Sequence, residues 1–204
     1  MGKKEQTMTI ILQFALEEFG TLGYDLASTN KIASKANLSK GTIFKYFHSK
    51  PSLYYTLFRQ ELEQMISSMK SFLEMHRSHD LFQTVVETIF WKATYAKEHP
   101  HASLLLLEAI SKPPEPIKEK IMSHLGQLSE LSMDLFFEQI PMDTIRNEFS
   151  KADVKRQFQI AVNGLQATYI KPGITYEYLD QIREEAICFL KTLLQGMEKT
   201  NESH

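Results

Sequence analysis

Acidic residues are missing from a long stretch of this chain. Between Leu26 and Gln60 there is no Asp or Glu, while Lys31, Lys35, Lys40, Lys45, Lys50 and Arg59 all fall there. A solvated helical surface normally mixes both signs, so this run suggests a face turned toward phosphates. Cysteine is almost absent as well. The single Cys188 cannot form an internal disulfide, which makes a cytoplasmic location the default. Its place within an apolar helix marks it as a buried, inert thiol. No apolar run approaches the ~20 residues needed to cross a bilayer. The opening Met-Gly-Lys-Lys-Glu-Gln-Thr is polar, and Gln13, Glu17 and Glu18 interrupt the apolar residues after it, which argues against a secretory signal. Repeats and low-complexity segments are lacking. So are a nucleophile–base pattern, a phosphate loop and paired carboxylates, so an enzyme is not expected. His76 with His79, and His99 with His101, have no convincing third ligand nearby, so neither a metal nor a cofactor is expected.

What is present points to an all-α chain with a basic head. Net charge over 204 residues is −2, but residues 1–52 hold seven Lys against four acids, a local +3 that leaves −5 for the rest. Such an asymmetry fits a protein that offers one end to a polyanion. The apolar residues Ile10, Ile11, Leu12, Ala15, Leu16 and Phe19 recur at helical steps, predicting a helix over 5–19 with a break at Gly20 and Gly23. Ser28 is a suitable N-cap for a short helix over 29–36, and Ser39 for another over 40–47. Between them Asn37 tolerates the left-handed turn and Leu38 plugs it. Ser49 and Pro51 open a long third helix carrying Leu53, Leu57, Leu62, Ile66 and Met69. Further helices are expected over 81–97, from Pro100 to the Pro113-Pro114 stop, over 115–139, from 150 or 151 to Tyr169, and from Tyr176 to Met197. The total is about nine, with no sheet.

Two helices joined by a tight turn are common in plain bundles. Three features favour nucleic acid here. Lys40, Gly41, Thr42 and Lys45 crowd the front of the second helix. Gly41 weakens that helix by about 1 kcal/mol relative to Ala, which is useful if the helix end must approach a sugar-phosphate wall. Ser28, Ser39 and Lys50 lie at helix starts, where backbone N–H groups and the helix dipole favour phosphate.

The run Ile32-Ala33, Ala36-Asn37-Leu38-Ser39-Lys40-Gly41-Thr42-Ile43-Phe44-Lys45-Tyr46-Phe47 and Ser49-Lys50 resembles the DNA-binding signature of TetR-family transcriptional regulators, and Ala15, Phe19, Gly20 and Gly23-Tyr24 match the same pattern. The resemblance covers about residues 7–55. Asn37 departs from the usual Gly and Pro51 from the usual Glu. It implies an N-terminal three-helix helix-turn-helix DNA-binding domain over 1–50 and a C-terminal helical effector-binding and dimerisation domain over 51–204. It further implies that Ser28, Thr29 and Lys50 contact phosphates, while Ser39, Lys40, Gly41, Thr42, Phe44, Lys45 and Tyr46 belong to the major-groove helix. Among these, Lys40, Thr42 and Lys45 can reach base edges, since Lys bonds guanine and the Thr methyl packs on thymine. Tyr46 suits a phosphate better.

The same resemblance implies a homodimer through the last two helices, about 152–169 and 176–197. The residues agree. Leu179, Ile182, Ala186, Leu190, Leu193 and Met197 form one stripe, Ile187 and Leu194 begin a second, and Ala161, Gly164 and Thr168 place small residues along one edge of the preceding helix. Both helices could equally belong to the subunit's own core. In the body, Phe90, Trp91, Tyr95, Met122, Phe136, Phe158, Gln166 and Tyr169 are the candidates to line a site for a largely apolar effector with one or two polar handles. The expected function is a ligand-responsive, sequence-specific DNA-binding regulator, most simply a repressor on a palindromic operator. The helix from Ser49 would be its lever, and no membrane would be involved. The alternative is an all-helical small-molecule-binding module without sequence-specific DNA readout.

Overall fold

Two helices of the head, Lys40–Phe47 and Lys50–Met75, start at serines whose side chains accept from the first turn. The computed structural model describes residues 2–75, 88, 91–92, 94–126, 143, 145–169 and 176–199. Within the helices, the side chains at 162, 166–167, 169, 176–184 and 194 fall outside the description. The described helices in chain order are α1 (Lys3–Leu26), α2 (Thr29–Lys35), α3 (Lys40–Phe47), α4 (Lys50–Met75), α5 (94–98), α6 (Pro100–Ser111), α7 (118–126), α8 (Lys151–Tyr169) and α9 (Tyr176–Met197). A single 3-10 turn, Glu115–Ile117, precedes α7. Among the described residues the one β contact is an isolated bridge between Ile145 and Glu198. The helices expected over 81–97 and 115–139 lie partly outside the described residues.

Two compact units emerge. The first holds Met1–Met75 and Thr94–Gln127, and the second includes α8 and α9. The functional boundary placed after residue 50 falls at the start of α4, inside the first unit.

In the first unit α1 supplies Ile11, Leu12, Ala15 and Phe19 to a core completed by Ile32 and Ala33 of α2, Ile43 and Phe47 of α3, and Leu53, Tyr54, Leu57 and Phe58 of α4. Burying each large apolar side chain contributes about 1.5–3 kcal/mol. The helix does not break at Gly20: α1 runs through it, and Gly20 is buried. A Cβ on Gly20 would lie 2.6 Å from the His101 carbonyl oxygen of α6, so the glycine permits a close helix crossing and stops nothing. The kink comes at Gly23, with φ 72° and ψ 173°, a conformation that only glycine adopts readily. From there α6 follows α1 in the same chain direction. His101 sits beside Gly20 and Thr21, Glu108 beside Gly23 and Tyr24, and Lys112 beside Asp25.

In the second unit α8 buries Val154, Phe158 and Ala161, and α9 buries Ala186, Leu190 and Met197. The backbone N–H of Arg146 donates to the Met197 carbonyl, and its guanidinium donates to the Gly196 carbonyl. These bonds cap carbonyls that the end of α9 would otherwise leave open. Cys188 is exposed, contrary to the expectation of a buried thiol. It lies off the α9 stripe that faces the core.

Candidate nucleic-acid interface

The turn between α2 and α3 is built from its own backbone. Leu38 N–H donates to the Ala33 carbonyl at 2.9 Å and Asn37 N–H to the Ser34 carbonyl at 3.1 Å. This paired closure needs a left-handed residue at its centre, and Asn37 takes that role at φ 55°. The chain then enters α3 through Ser39, whose Oγ accepts from Thr42 N–H at 3.1 Å and lies 2.9 Å from Thr42 Oγ1. At the far end His48 adopts φ 63°. Ser49 Oγ accepts from Ser52 N–H at 3.2 Å, opening α4. Two polar caps and two left-handed residues thus fix the direction of α3.

With Ile43 and Phe47 buried, the helical period places the other residues of α3 outward. Ser39, Lys40, Gly41 and Lys45 are exposed, while Thr42, Phe44 and Tyr46 are half-buried. Lys40 Nζ lies 5.6 Å from the centroid of the Phe44 ring, so cation and aromatic edge form one patch. Among the described residues, Lys31, Lys40 and Lys45 have no acidic partner within 4.0 Å, whereas Lys35 pairs with Glu17 at 2.9 Å. The acid-free stretch therefore leaves uncompensated charge at α3. A Cβ on Gly41 would meet nothing nearer than Ser39 Oγ at 3.7 Å, so the protein's own packing does not require glycine there.

The three candidate phosphate contacts sit differently from what the sequence implied. Ser28 precedes α2, but its side chain makes no cap bond. Its backbone N–H donates to Glu18 Oε1 at 3.1 Å, a buried carboxylate of α1. Thr29 is only 9% exposed, so its side chain offers little surface to a ligand. Lys50 lies over the Tyr24 ring, 4.6 Å from its centroid, and donates to the Asp25 carbonyl at 3.3 Å. Its ammonium is held at the α1–α4 corner and does not reach freely outward.

Of the candidate effector residues, Tyr95 and Phe158 are buried and Trp91 is half-buried. Burial raises the Tyr95 phenol above its ordinary pKa, with the charge of Glu61 adding to it. Met122 is 52% exposed on α7, which removes it from the apolar core. Phe90 and Phe136 lie outside the described residues, as do the side chains of Gln166 and Tyr169. Among the described residues no group of three His, Cys, Asp or Glu could hold a metal, and no helix is long and apolar enough to cross a membrane.

Sequence reasoning missed two carboxylates, Glu18 and Glu108, that bind backbone N–H groups on either side of the α1–α2 corner. No local signal marks either one, because each partner is supplied by the tertiary fold.

Comparison with known proteins gives the same picture of the head. Residues 11–55, which contain the whole of α2, the turn and α3, match the family model described as bacterial regulatory proteins, tetR family. The HTH-type transcriptional regulator RutR of Escherichia coli K12 is 30% identical over 108 residues, covering 51% of this chain and 50% of that protein. The chain thus spans about half the length of the curated relatives it matches. Among solved structures, the fatty acid degradation regulator FadR of Bacillus halodurans aligns with a TM-score of 0.65 at 19% identity, over 93% of this chain and 95% of that one. The FadR of Bacillus subtilis, solved with stearoyl-CoA, aligns with a TM-score of 0.68 at 16% identity, over 89% and 96%. At these identities the solved structures establish the fold. With its helix-turn-helix matched from end to end, the head of the chain over residues 11–55 is similar to that of the tetR family of bacterial regulatory proteins.

Proposed function

We propose that this protein is a ligand-responsive, dimeric regulator of transcription that reads a palindromic operator through α3 and represses from it. The observation that carries the reading is the outward face of α3. Lys40, Gly41 and Lys45 are exposed on a helix fixed at both ends, with no acid paired to either lysine. Lys40, Thr42 and Lys45 would meet base edges, Ser39, Phe44 and Tyr46 the groove wall, and Ser28 and Lys50 the flanking phosphates. Thr29 would contribute only through what little of it is exposed. Lys50 can reach a phosphate by giving up its long bond to the Asp25 carbonyl.

A second copy would pair through α8 and α9. On α8, Gln157, Ile160 and Gly164 share an exposed edge, with Ile160 57% exposed. On α9, Phe189 is 48% exposed, and Phe189, Thr192 and Gly196 border an open depression of about 410 Å³. Among the described residues nothing lies within 4 Å of where a Cβ on Gly164 or Gly196 would stand. Glycines left open by the described residues suit the close approach of another helix. Twofold pairing would present two recognition helices to half-sites about 34–36 Å apart.

The effector we propose is small and largely apolar, with Trp91 and Phe158 of the second unit as its candidate aromatic contacts. The B. subtilis FadR, of the same fold, holds stearoyl-CoA. α4 carries Lys50 at one end and continues as a single helix to Met75, so a shift at its far end would move the head. A coupling of about 1–3 kcal/mol changes affinity about 5–150-fold, enough for release.

The test is a gel shift with DNA from upstream of the protein's own gene, comparing wild type with Lys40→Ala and Lys45→Ala. A discrete complex that survives nonspecific competitor and is lost in both variants supports the reading. Salt-sensitive binding with no sequence preference would reduce the lysine face to a generic polyanion surface.

A further inference from the structure

One side chain of α6 reaches both the kinked end of α1 and the first turns of α4. Both carboxylate oxygens of Glu108 accept from the Tyr24 backbone N–H, at 2.9 and 3.0 Å. Tyr24 follows Gly23, whose non-helical backbone takes the chain out of regular helix just before α2. The same carboxylate lies 3.1 Å from the Tyr54 hydroxyl of α4, which is also 3.4 Å from the Leu105 carbonyl. Tyr54 is fully buried. Burial, reinforced by the Glu108 charge and hydrogen bond, pushes its phenol far above its ordinary pKa, so it stays a donor. Around this point Phe19, Tyr24 and Tyr54 pack ring against ring, with Tyr54 edge-on to both others.

The grip continues on both sides of the kink. Before it, Gly20 lies against the His101 backbone so closely that a methyl group would not fit. After it, Lys112 pairs with Asp25 at 3.2 Å on the surface. At the start of α2, Glu18 holds the Ser28 N–H. From α2 the backbone-bonded turn leads directly into α3. One carboxylate thus joins α6 to the α1–α2 corner and to α4 together.

We propose that Glu108 is a positioning residue for DNA binding: it clasps the α1–α2 corner to α4, and α6 sets the angle of the recognition helix through it. It touches no DNA. The inference rests on the operator-binding reading above.

The experiment uses the full chain with Glu108→Gln and Tyr54→Phe. Three quantities are read: anisotropy of a labelled operator fragment, the salt dependence of that binding, and amide hydrogen exchange in the free protein. The expected result is cooperative unfolding like wild type and faster exchange confined to Tyr24 and the α2–α3 segment. Affinity should fall about 5–150-fold, the range for coupling between distant sites. The salt slope should not change, because no phosphate contact is removed. Should Glu108→Gln fail to fold, Tyr54→Phe removes only the hydroxyl arm and is read the same way. A folded variant with wild-type affinity overturns the proposal, as does loosening spread evenly over the whole chain. If wild type binds no duplex, the operator reading fails on its own. The exchange data then decide the clasp: local acceleration sustains it and unchanged exchange overturns it.

Discussion

Replacing Gly41 by alanine should make the protein more stable and a worse DNA binder. Gly41 is exposed in the first turn of α3, and a Cβ there would meet only Ser39 Oγ at 3.7 Å, an ordinary contact. No strain offsets the gain from restricting the unfolded chain, so alanine adds about 0.5–1 kcal/mol to helix stability. For a chain of this size that raises the melting temperature by roughly 2 °C. On the operator-binding reading, the added methyl would stand where the helix end meets the sugar-phosphate wall. Losing one hydrogen bond to a charged phosphate there removes about 1.5–3 kcal/mol, or about ten- to hundredfold in affinity. Thermal unfolding and operator anisotropy on the same preparation read the two effects. Because the variant folds better, weaker binding cannot be assigned to misfolding. Unchanged or tighter binding by Gly41→Ala refutes the reasoning that glycine is kept there for the groove.

Gly20→Ala should have the opposite sign. The new Cβ meets His101 backbone atoms at 2.6–2.8 Å that cannot rotate away, so overpacking of about 1–3 kcal/mol outweighs the helix gain, and urea unfolding should shift to lower midpoint. Asn37→Gly, at φ 55°, should raise stability by about 0.5–1 kcal/mol in the same assay, since glycine enters the left-handed region without strain. Phe189→Lys should leave a folded monomer in sedimentation, whereas a persisting dimer would rule out α9 as the interface. Glu61 is buried in α4, and burial raises its pKa above the usual carboxylate range. A raised carboxylate pKa means that the folded state binds its proton more tightly than the unfolded state. Glu61→Gln should therefore stabilise most near pH 7, and its advantage should shrink as pH falls through the folded pKa toward the unfolded one. A gain that grows on acidification would contradict that sign.

The parts of the head legible in sequence were those governed by neighbours a few residues away. Ser39, Asn37, Ser49 and the Ile43–Phe47 spacing act over one turn of helix, and the helices they bound fall where the pattern put them. α9 was legible from Tyr176 to Met197 for the same reason. Gly20 was misread because a glycine that ends a helix and one that admits another helix look alike until the partner is known. Here the partner is His101, some eighty residues on. Glu108 was invisible for a related cause, since its contacts reach 84 residues to Tyr24 and 54 to Tyr54. Lys50 was expected at a phosphate, and nothing in sequence brings it over the Tyr24 ring. Cys188 was placed inside because α9 is apolar on more than one side, and sequence alone does not say which side a subunit keeps for itself.

The central claim is that a twofold pair of α3 helices reads duplex DNA by sequence. Selection of bound fragments from a random duplex library, sequenced over successive rounds, tests it with no operator sequence assumed. The account predicts enrichment of one inverted repeat with half-site centres about one helical turn, 34–36 Å, apart. Fragments recovered with no common sequence, or with a single unrepeated element, would contradict it.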